Sequence, residues 1–268
     1  MVPYREDSAL PSGRMVGRPQ AYDQIGRGYA TERRPDPRIA SRIMDALGAA
    51  SSVLNVGAGA GSYEPADRFV VAVEPSGVML AQRPPGAAPA IRAAAEQLPV
   101  PSASFEAAMA ILTVHHWSDR PAGYAELCRV SRHRVVLTFD PKVHNRHWFL
   151  REYVPEIARF EEQRAPSIDE IAYGIGATRV ETVPIPHDCI DGFTVAHWRR
   201  PHAYLDPDVR RANSGLAQAD PAVVERGIQR LREDLRTARW HEQHADILEL
   251  TELDVGIRII IGSSDQLQ

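Results

Sequence analysis

The sequence predicts an open, doubly wound α/β sheet with helices on both faces, and three observations predict it. Short, continuously apolar, β-branched runs recur at Ser52–Gly57, Phe69–Glu74, Ala107–Val114 and Arg134–Phe139. Amphipathic segments lie between them. The first run opens directly into Gly57-Ala58-Gly59-Ala60-Gly61. Uninterrupted apolar runs mark strands buried on both faces, which is how parallel sheets read in sequence. Strand–helix alternation then places helices on either side of that sheet.

The elements follow in order. Residues 1–20 mix charges, prolines and glycines without an apolar run, and read as a loose tail rather than a signal peptide. Arg38–Leu47 sets Ile39, Ile43, Met44 and Leu47 on one helix face, and Ala122–Val130 repeats the pattern with Leu127 and Val130. Ala90–Ala94 is a weaker strand between the second and third runs. After Asp140 the rhythm changes to helical stretches rich in aromatics and histidines, with one strand-like run at Thr178–Pro184. Asp220–Trp240 is the clearest helix: Asp220 caps it, Pro221 suits its first turn, and Val224, Ile228, Leu231 and Leu235 form its stripe. Leu253–Ile261 is expected to return to the sheet. The expected division is therefore a core of residues 21–140 plus 251–263 and a mainly helical, substrate-binding cap of residues 141–250, inserted after the fifth strand.

Composition limits the partners. A net charge of −4 gives no electrostatic footprint for nucleic acid or an anionic membrane, and Lys142 is the only lysine among 31 basic residues. No run approaches the roughly 18 apolar residues of a membrane span. Cys128 and Cys189 lack a metal-like spacing and read as reduced, buried thiols, which fits a cytoplasmic protein. His144/His147 and His241/His244 have no cysteine or carboxylate completing a recognisable set, so no metal site is expected.

Alternate glycines at the carboxyl end of the first strand let backbone approach a ligand closely. Glu74 ends the next strand 17 residues after Gly57, where a carboxylate can accept both hydroxyls of a ribose. Loop and acid together point to an adenosine cofactor. A dinucleotide would want glycine where Ser62 stands, and a helix N-terminus for its pyrophosphate. Only Ser62–Arg68, with Pro65 among them, precede the second strand. S-adenosylmethionine has no phosphate and needs no such helix. A nicotinamide-dependent oxidoreductase remains the alternative enzyme, and a non-catalytic adenosyl-ligand binding protein the alternative of another kind.

The motifs VLNVGAGAG (Val53–Gly61), AVEPSGVML (Ala72–Leu80), AAEQLPVPSASFEAAMA (Ala94–Ala110) and LTVHHW (Leu112–Trp117) resemble the class I S-adenosylmethionine-dependent methyltransferases, in the methyltransferase type 11 group. The resemblance covers roughly residues 20–140. It implies a Rossmann-like, mostly parallel sheet and methyl transfer to a small metabolite or natural product at a C, N or O atom. It further implies that Gly57, Ala58, Gly59 and Gly61 line the methionine and ribose, with Glu74 on the ribose. Pro75 and Ser76 flank the adenine, Ala95 and Glu96 meet its edge, and Thr113 and His115 lie beneath the methionine. Asn55 stands where the family usually has Asp or Glu, and Ala94 where it often has Asp. The cofactor's amino group is then expected to be met through water or from elsewhere.

The resemblance also implies that the segment around Tyr22 and Tyr29 closes over the cofactor and that Arg33 or Arg34 pairs with its carboxylate. His115 and His116 follow the third well-defined strand and, with Tyr22, are the candidate catalytic groups. A histidine there can take a proton from the acceptor. The cap aromatics Trp148, Phe149, Tyr153, Tyr173, Phe193, Trp198 and Tyr204 could wall an apolar acceptor pocket.

Overall fold

The structure, a computed structural model, describes residues 33–264, so the expectations for Tyr22 and Tyr29 lie outside the described residues. Strands β1 (Ser52–Val56), β2 (Phe69–Val73), β3 (Ala90–Ile91), β4 (Phe105–Ile111), β5 (Ser131–Phe139), β6 (Ala177–Thr182) and β9 (Ile257–Ser263) form one sheet. Its order is β3-β2-β1-β4-β5-β9-β6, parallel except for β9, which runs antiparallel to both β5 and β6. The four apolar runs are its four central parallel strands. Leu54, Ala108, Val136 and Ile260 are fully buried along adjacent strands, as strands covered on both faces require.

Helix α1 (Pro37–Leu47) covers one face through Ile39, Ile43 and Leu47, and α2 (Gly77–Leu80) is a single turn between β2 and β3. Helix α3 (Arg120–Val130) covers the other face with Leu127 and Val130. Both α1 and α3 start as their sequences dictate: Asp36 and Asp119 accept backbone N–H groups of the first turn, and a proline follows each cap within two residues.

Beyond β5 come α4 (Pro141–His144), α5 (Pro155–Arg164) and α6 (Ile168–Gly174). Helix α6 packs Ile171 into the α3 side of the sheet, and β6 follows it as the edge strand. The expected cap of residues 141–250 is thus interrupted: Ile168–Thr182 belongs to the core, because α6 is the crossover that delivers β6. The helical cap follows the fifth strand in two pieces, one of α4 and α5 and one running from β7 (Ile185–Pro186) to β8 (Glu252–Leu253). The second piece contains α7 (Pro207–Arg211), α8 (Ser214–Ala217) and α9 (Pro221–Arg236). The return strand begins at Ile257 rather than Leu253, since Glu252 and Leu253 pair with Pro186 and Ile185 instead.

The cap is fused to the α1 face. Trp148, Phe149, Trp198, Tyr204 and Trp240 share one apolar cluster with Met109, Leu137 and Ile259 of the sheet. Phe149 stacks on Tyr204 with ring centroids 3.8 Å apart, and Trp148 meets Trp240 edge-on at 5.0 Å. The buried Nε1–H of Trp148 donates to the Trp198 carbonyl at 2.8 Å, and that of Trp198 to the Ile185 carbonyl at 2.9 Å. Of the seven aromatics that could wall a pocket, five are core, and Tyr173 is exposed. Phe193 of that set lines a cavity.

Candidate functional site

The strand order reverses between β1 and β4, and in open α/β sheets the crevice beyond the strand carboxyl ends opens at that point. Gly57 follows β1, and Thr113 follows β4 by two residues. A Cβ on Gly57 would stand 2.1 Å from Thr113 Oγ1, so glycine alone lets the two loops close. Gly57 and Gly59 take φ values of +72° and +53°, in the left-handed region. Between Gly61 and β2 the chain makes only turns, with no helix to meet a pyrophosphate.

This crevice is a cavity of about 250 Å³. Its walls include Arg33, Asn55, Gly57, Ala58, Gly59, Glu74, Pro75, Ala95, Glu96, Thr113 and His116, all singled out in the sequence. Glu74 is buried at the end of β2; its Oε2 accepts from Gly59 N at 2.8 Å and its Oε1 from Ser76 N at 2.8 Å. One carboxylate thereby sets both the glycine loop and the turn into α2. Glu96 Oε1 accepts from Ser118 N at 2.7 Å and from the Ser118 hydroxyl at 2.9 Å, fixing the loop before α3.

Asn55 is buried on β1. Its Nδ2–H donates to Glu64 Oε1 at 3.1 Å, while its buried Oδ1 has no hydrogen-bond partner among the described residues. A carbonyl oxygen in that state suits an ammonium or amide donor from a ligand. Glu64 is held in turn by Arg83, whose Nη2–H donates at 2.8 Å.

Two expected cofactor contacts fall elsewhere. Gly61 is absent from the cavity wall: its N–H donates to the Ala58 carbonyl at 2.9 Å, and its Cα faces Arg83 and Glu64. It shapes the turn rather than the crevice. His115 lies in the 3₁₀ turn Val114–His116, whose rotation carries it into a second cavity of about 130 Å³.

That second cavity is lined by His115, His116, Phe139, His144, Glu161 and Phe193 among others. Arg33, Leu112 and His116 line both cavities, so the two spaces adjoin. Arg34 is exposed and lines neither, which favours Arg33 of the two arginines. Arg33 is set by Asp191: its Nε–H donates to Oδ1 at 2.6 Å, and the Tyr63 hydroxyl donates to Oδ2 at 2.8 Å. Sequence reasoning missed Asp191, Tyr63 and Glu161, and no local pattern marks any of them.

Burial lowers the proton affinity of the cavity's imidazoles. His116 and His144 are each pushed down to about 4, chiefly by desolvation. His115 is lowered well below its usual range by desolvation first, and then by His116, His144 and Arg33. At neutral pH all three are neutral, and His115 retains a buried Nδ1 without a hydrogen-bond partner among the described residues. Desolvation raises Glu161 to about 7.

Fold and crevice define a doubly wound α/β protein with a ligand-sized cavity at its switch point. The chain's own relatives make that definition specific. A family profile described as a methyltransferase domain matches residues 54–139. A putative methyltransferase from an antibiotic biosynthesis pathway of Anabaena variabilis is 33% identical, over 87% of this chain and 100% of that one, with a TM-score of 0.80. The [4+2]-cyclase SpnF shares the fold at 13% identity and a TM-score of 0.52, over 90% of this chain and 93% of that one. No curated protein sequence matches. The chain belongs to the class I S-adenosylmethionine-dependent methyltransferases, and its cofactor is S-adenosylmethionine. The nicotinamide alternative is thereby set aside.

Proposed function

We propose that this methyltransferase acts on a small molecule seated in the second cavity. The observation that carries the reading is the junction: Arg33, Leu112 and His116 belong to both cavities, so an acceptor in one abuts a cofactor in the other. Its walls of Phe139, Phe160, Phe193, Leu112 and Ile257 suit an apolar or aromatic body. The sequence carries no basic stripe that would draw nucleic acid. The biosynthetic setting named for the Anabaena relative agrees with a metabolite or natural product as acceptor.

In this reading Glu74 holds the ribose hydroxyls, while Gly57, Ala58 and Gly59 bring backbone against the cofactor. Asn55 Oδ1 accepts from its amino group, and Arg33 meets its carboxylate as a charge-assisted donor. Pro75, Ala95 and Glu96 bound the adenine, and Thr113 supports the methionine end. When bound, the cofactor supplies a methyl group activated by a sulfonium. The chain's contribution is orientation and exclusion of water at the junction, which lowers the barrier by several kcal/mol. His116, and His115 beside it at 3.9 Å between ring centroids, are neutral and so able to accept a proton from the acceptor. Among the described residues no helix is long and apolar enough to cross a membrane. A cytoplasmic location is part of this proposal.

The test is transfer of tritiated methyl from S-adenosylmethionine in the presence of a metabolite extract containing protein and nucleic acid. Label is expected in small, dialysable products that separate from the cofactor by chromatography. Label confined to protein or nucleic acid would overturn the small-molecule reading.

A further inference from the structure

The acceptor cavity contains a carboxyl group that the junction chemistry does not use. Glu161 lies on α5 and lines the second cavity but not the first. A succession of contacts separates it from the junction. His115 meets Phe139 at 5.1 Å between ring centroids, Phe139 meets His144 at 4.5 Å, and Glu161 Oε2 stands 4.0 Å from His144 Nδ1. That last distance is too long for a hydrogen bond. Glu161 Oε2 is buried and has no hydrogen-bond partner among the described residues.

The charged and titratable groups facing Glu161 do not neutralise it. His144 of α4 is neutral at pH 7 and points its Nδ1 to Asn145 Oδ1 at 3.4 Å. Arg164, one turn along α5, lays its guanidinium over the Phe160 ring at 4.5 Å. Arg33 is bound to Asp191, and His115 and His116 are neutral at that pH. From α8 and the residue before it come Ser214, Asn213 and Gly215, none of them charged. Burial is the whole cause of the carboxyl's upward shift to about 7, with no cation opposing it. A carboxyl in that condition is completed by a cationic donor.

The site is also built to admit that carboxyl. A Cβ on Gly215 would fall 2.0 Å from Glu161 Oε1, so the side chain occupies space that glycine alone leaves beside it.

We propose that Glu161 anchors a protonated amine of the acceptor, which makes the substrate an apolar or aromatic molecule bearing a basic nitrogen away from the methylated atom. A protonated amine has no lone pair to donate, so the group held by Glu161 positions the acceptor while a second atom faces the cofactor. This rests on the small-molecule reading of the same cavity. Glu161 is a specificity-determining residue here, not a base.

The experiment uses the whole protein saturated with S-adenosylhomocysteine, with tyramine and 4-hydroxyphenylpropionate as paired probes of similar shape and opposite charge. Calorimetry at pH 7 should find tyramine binding at least about tenfold tighter than the acid, a difference of about 1.4 kcal/mol. Tyramine binding should also release protons from Glu161, seen as a dependence of the measured heat on buffer ionisation. Glu161→Gln should bind S-adenosylhomocysteine like the wild type but lose both the preference and the proton release. Gly215→Ala, which displaces the carboxyl without removing it, should reduce the preference. Tyramine binding no tighter than the acid, or a preference that survives in Glu161→Gln, overturns the proposal while leaving the cofactor site intact. Failure of the wild type to bind S-adenosylhomocysteine would instead strike the site assignment beneath it.

Discussion

Glu74 joins two roles on one carboxylate, and Glu74→Ala removes both at once. Each oxygen accepts a backbone N–H, from Gly59 and Ser76, and the carboxylate stands on the wall of the crevice. A hydrogen bond to a charged group is worth about 1.5–3 kcal/mol, so Glu74→Ala should weaken S-adenosylhomocysteine binding roughly 10- to 100-fold. Calorimetric titration checks this, and unchanged affinity would remove Glu74 from the site. Asp191 poses the complementary case. It is buried, and it holds Arg33, whose side chain is 12% exposed. Asp191→Ala removes a buried partner of both that guanidinium and the Tyr63 hydroxyl, at an expected cost of about 3 kcal/mol in urea unfolding. Adding Arg33→Ala should recover part of that loss, because the charge that lost this partner then disappears. A double variant as unstable as the sum of the two singles would show that the pair is not coupled.

At the scale of the element, the glycine loop divides into positions that fold and positions that face the ligand. Gly57→Ala puts a Cβ against Thr113 Oγ1 at 2.1 Å in left-handed backbone, and should destabilise the fold by more than the roughly 1–2 kcal/mol that such a backbone alone costs. Gly59→Ala meets only the movable Met79 Cε at 3.3 Å. Its backbone strain is similar, but its bulk lies on the wall of the cofactor crevice. Gly59→Ala should therefore melt closer to the wild type than Gly57→Ala does, yet weaken cofactor binding; the opposite ranking in thermal melts and titrations would refute this division. Such local features were legible in the sequence because apolar runs, caps and glycines act over a few residues. The four central strands and the Asp220 cap needed nothing further. The Arg33–Asp191 pair joins residues 158 apart, and Glu161 reads locally as one more acid in Phe160-Glu161-Glu162. Its setting comes from Gly215 on a different helix. Burial alone does not tell a pocket wall from a core, so Trp148, Phe149, Trp198 and Tyr204 could not be sorted by sequence.

At the scale of the whole molecule, buried imidazoles couple the fold to pH. His115, His116, His144, His147 and His197 are all lowered by burial first, with His116, His144 and His197 brought to about 4. They lie in the second cavity, in the cap and at their boundary. In the unfolded chain each binds its proton near pH 6.5, while in the folded chain it does so only well below that. The unfolded state thus holds more protons throughout this window, and stability must fall as pH drops from about 6.5 toward 4. Glu161 works in the opposite sense: raised from 4.5 to about 7, it binds a proton in the folded state first, and so favours folding as pH falls from 7 to 4.5. One carboxyl cannot offset five imidazoles across that range. Asp36 adds nothing there, since hydrogen bonds from Arg38 and Ile190 outweigh its burial and hold it at about 2. Thermal melts from pH 8 to pH 4 should show Tm nearly level above pH 7 and falling by several degrees between about 6.5 and 4.5. His197 makes the sharpest single test, because neither of its ring nitrogens has a hydrogen-bond partner among the described residues and it lines neither cavity. His197→Phe keeps the ring packed near Tyr204 and removes the proton, so its Tm should fall less steeply with acid than that of the wild type. Parallel curves for the two proteins would mean that His197 takes up no proton on unfolding and that the acid sensitivity resides elsewhere.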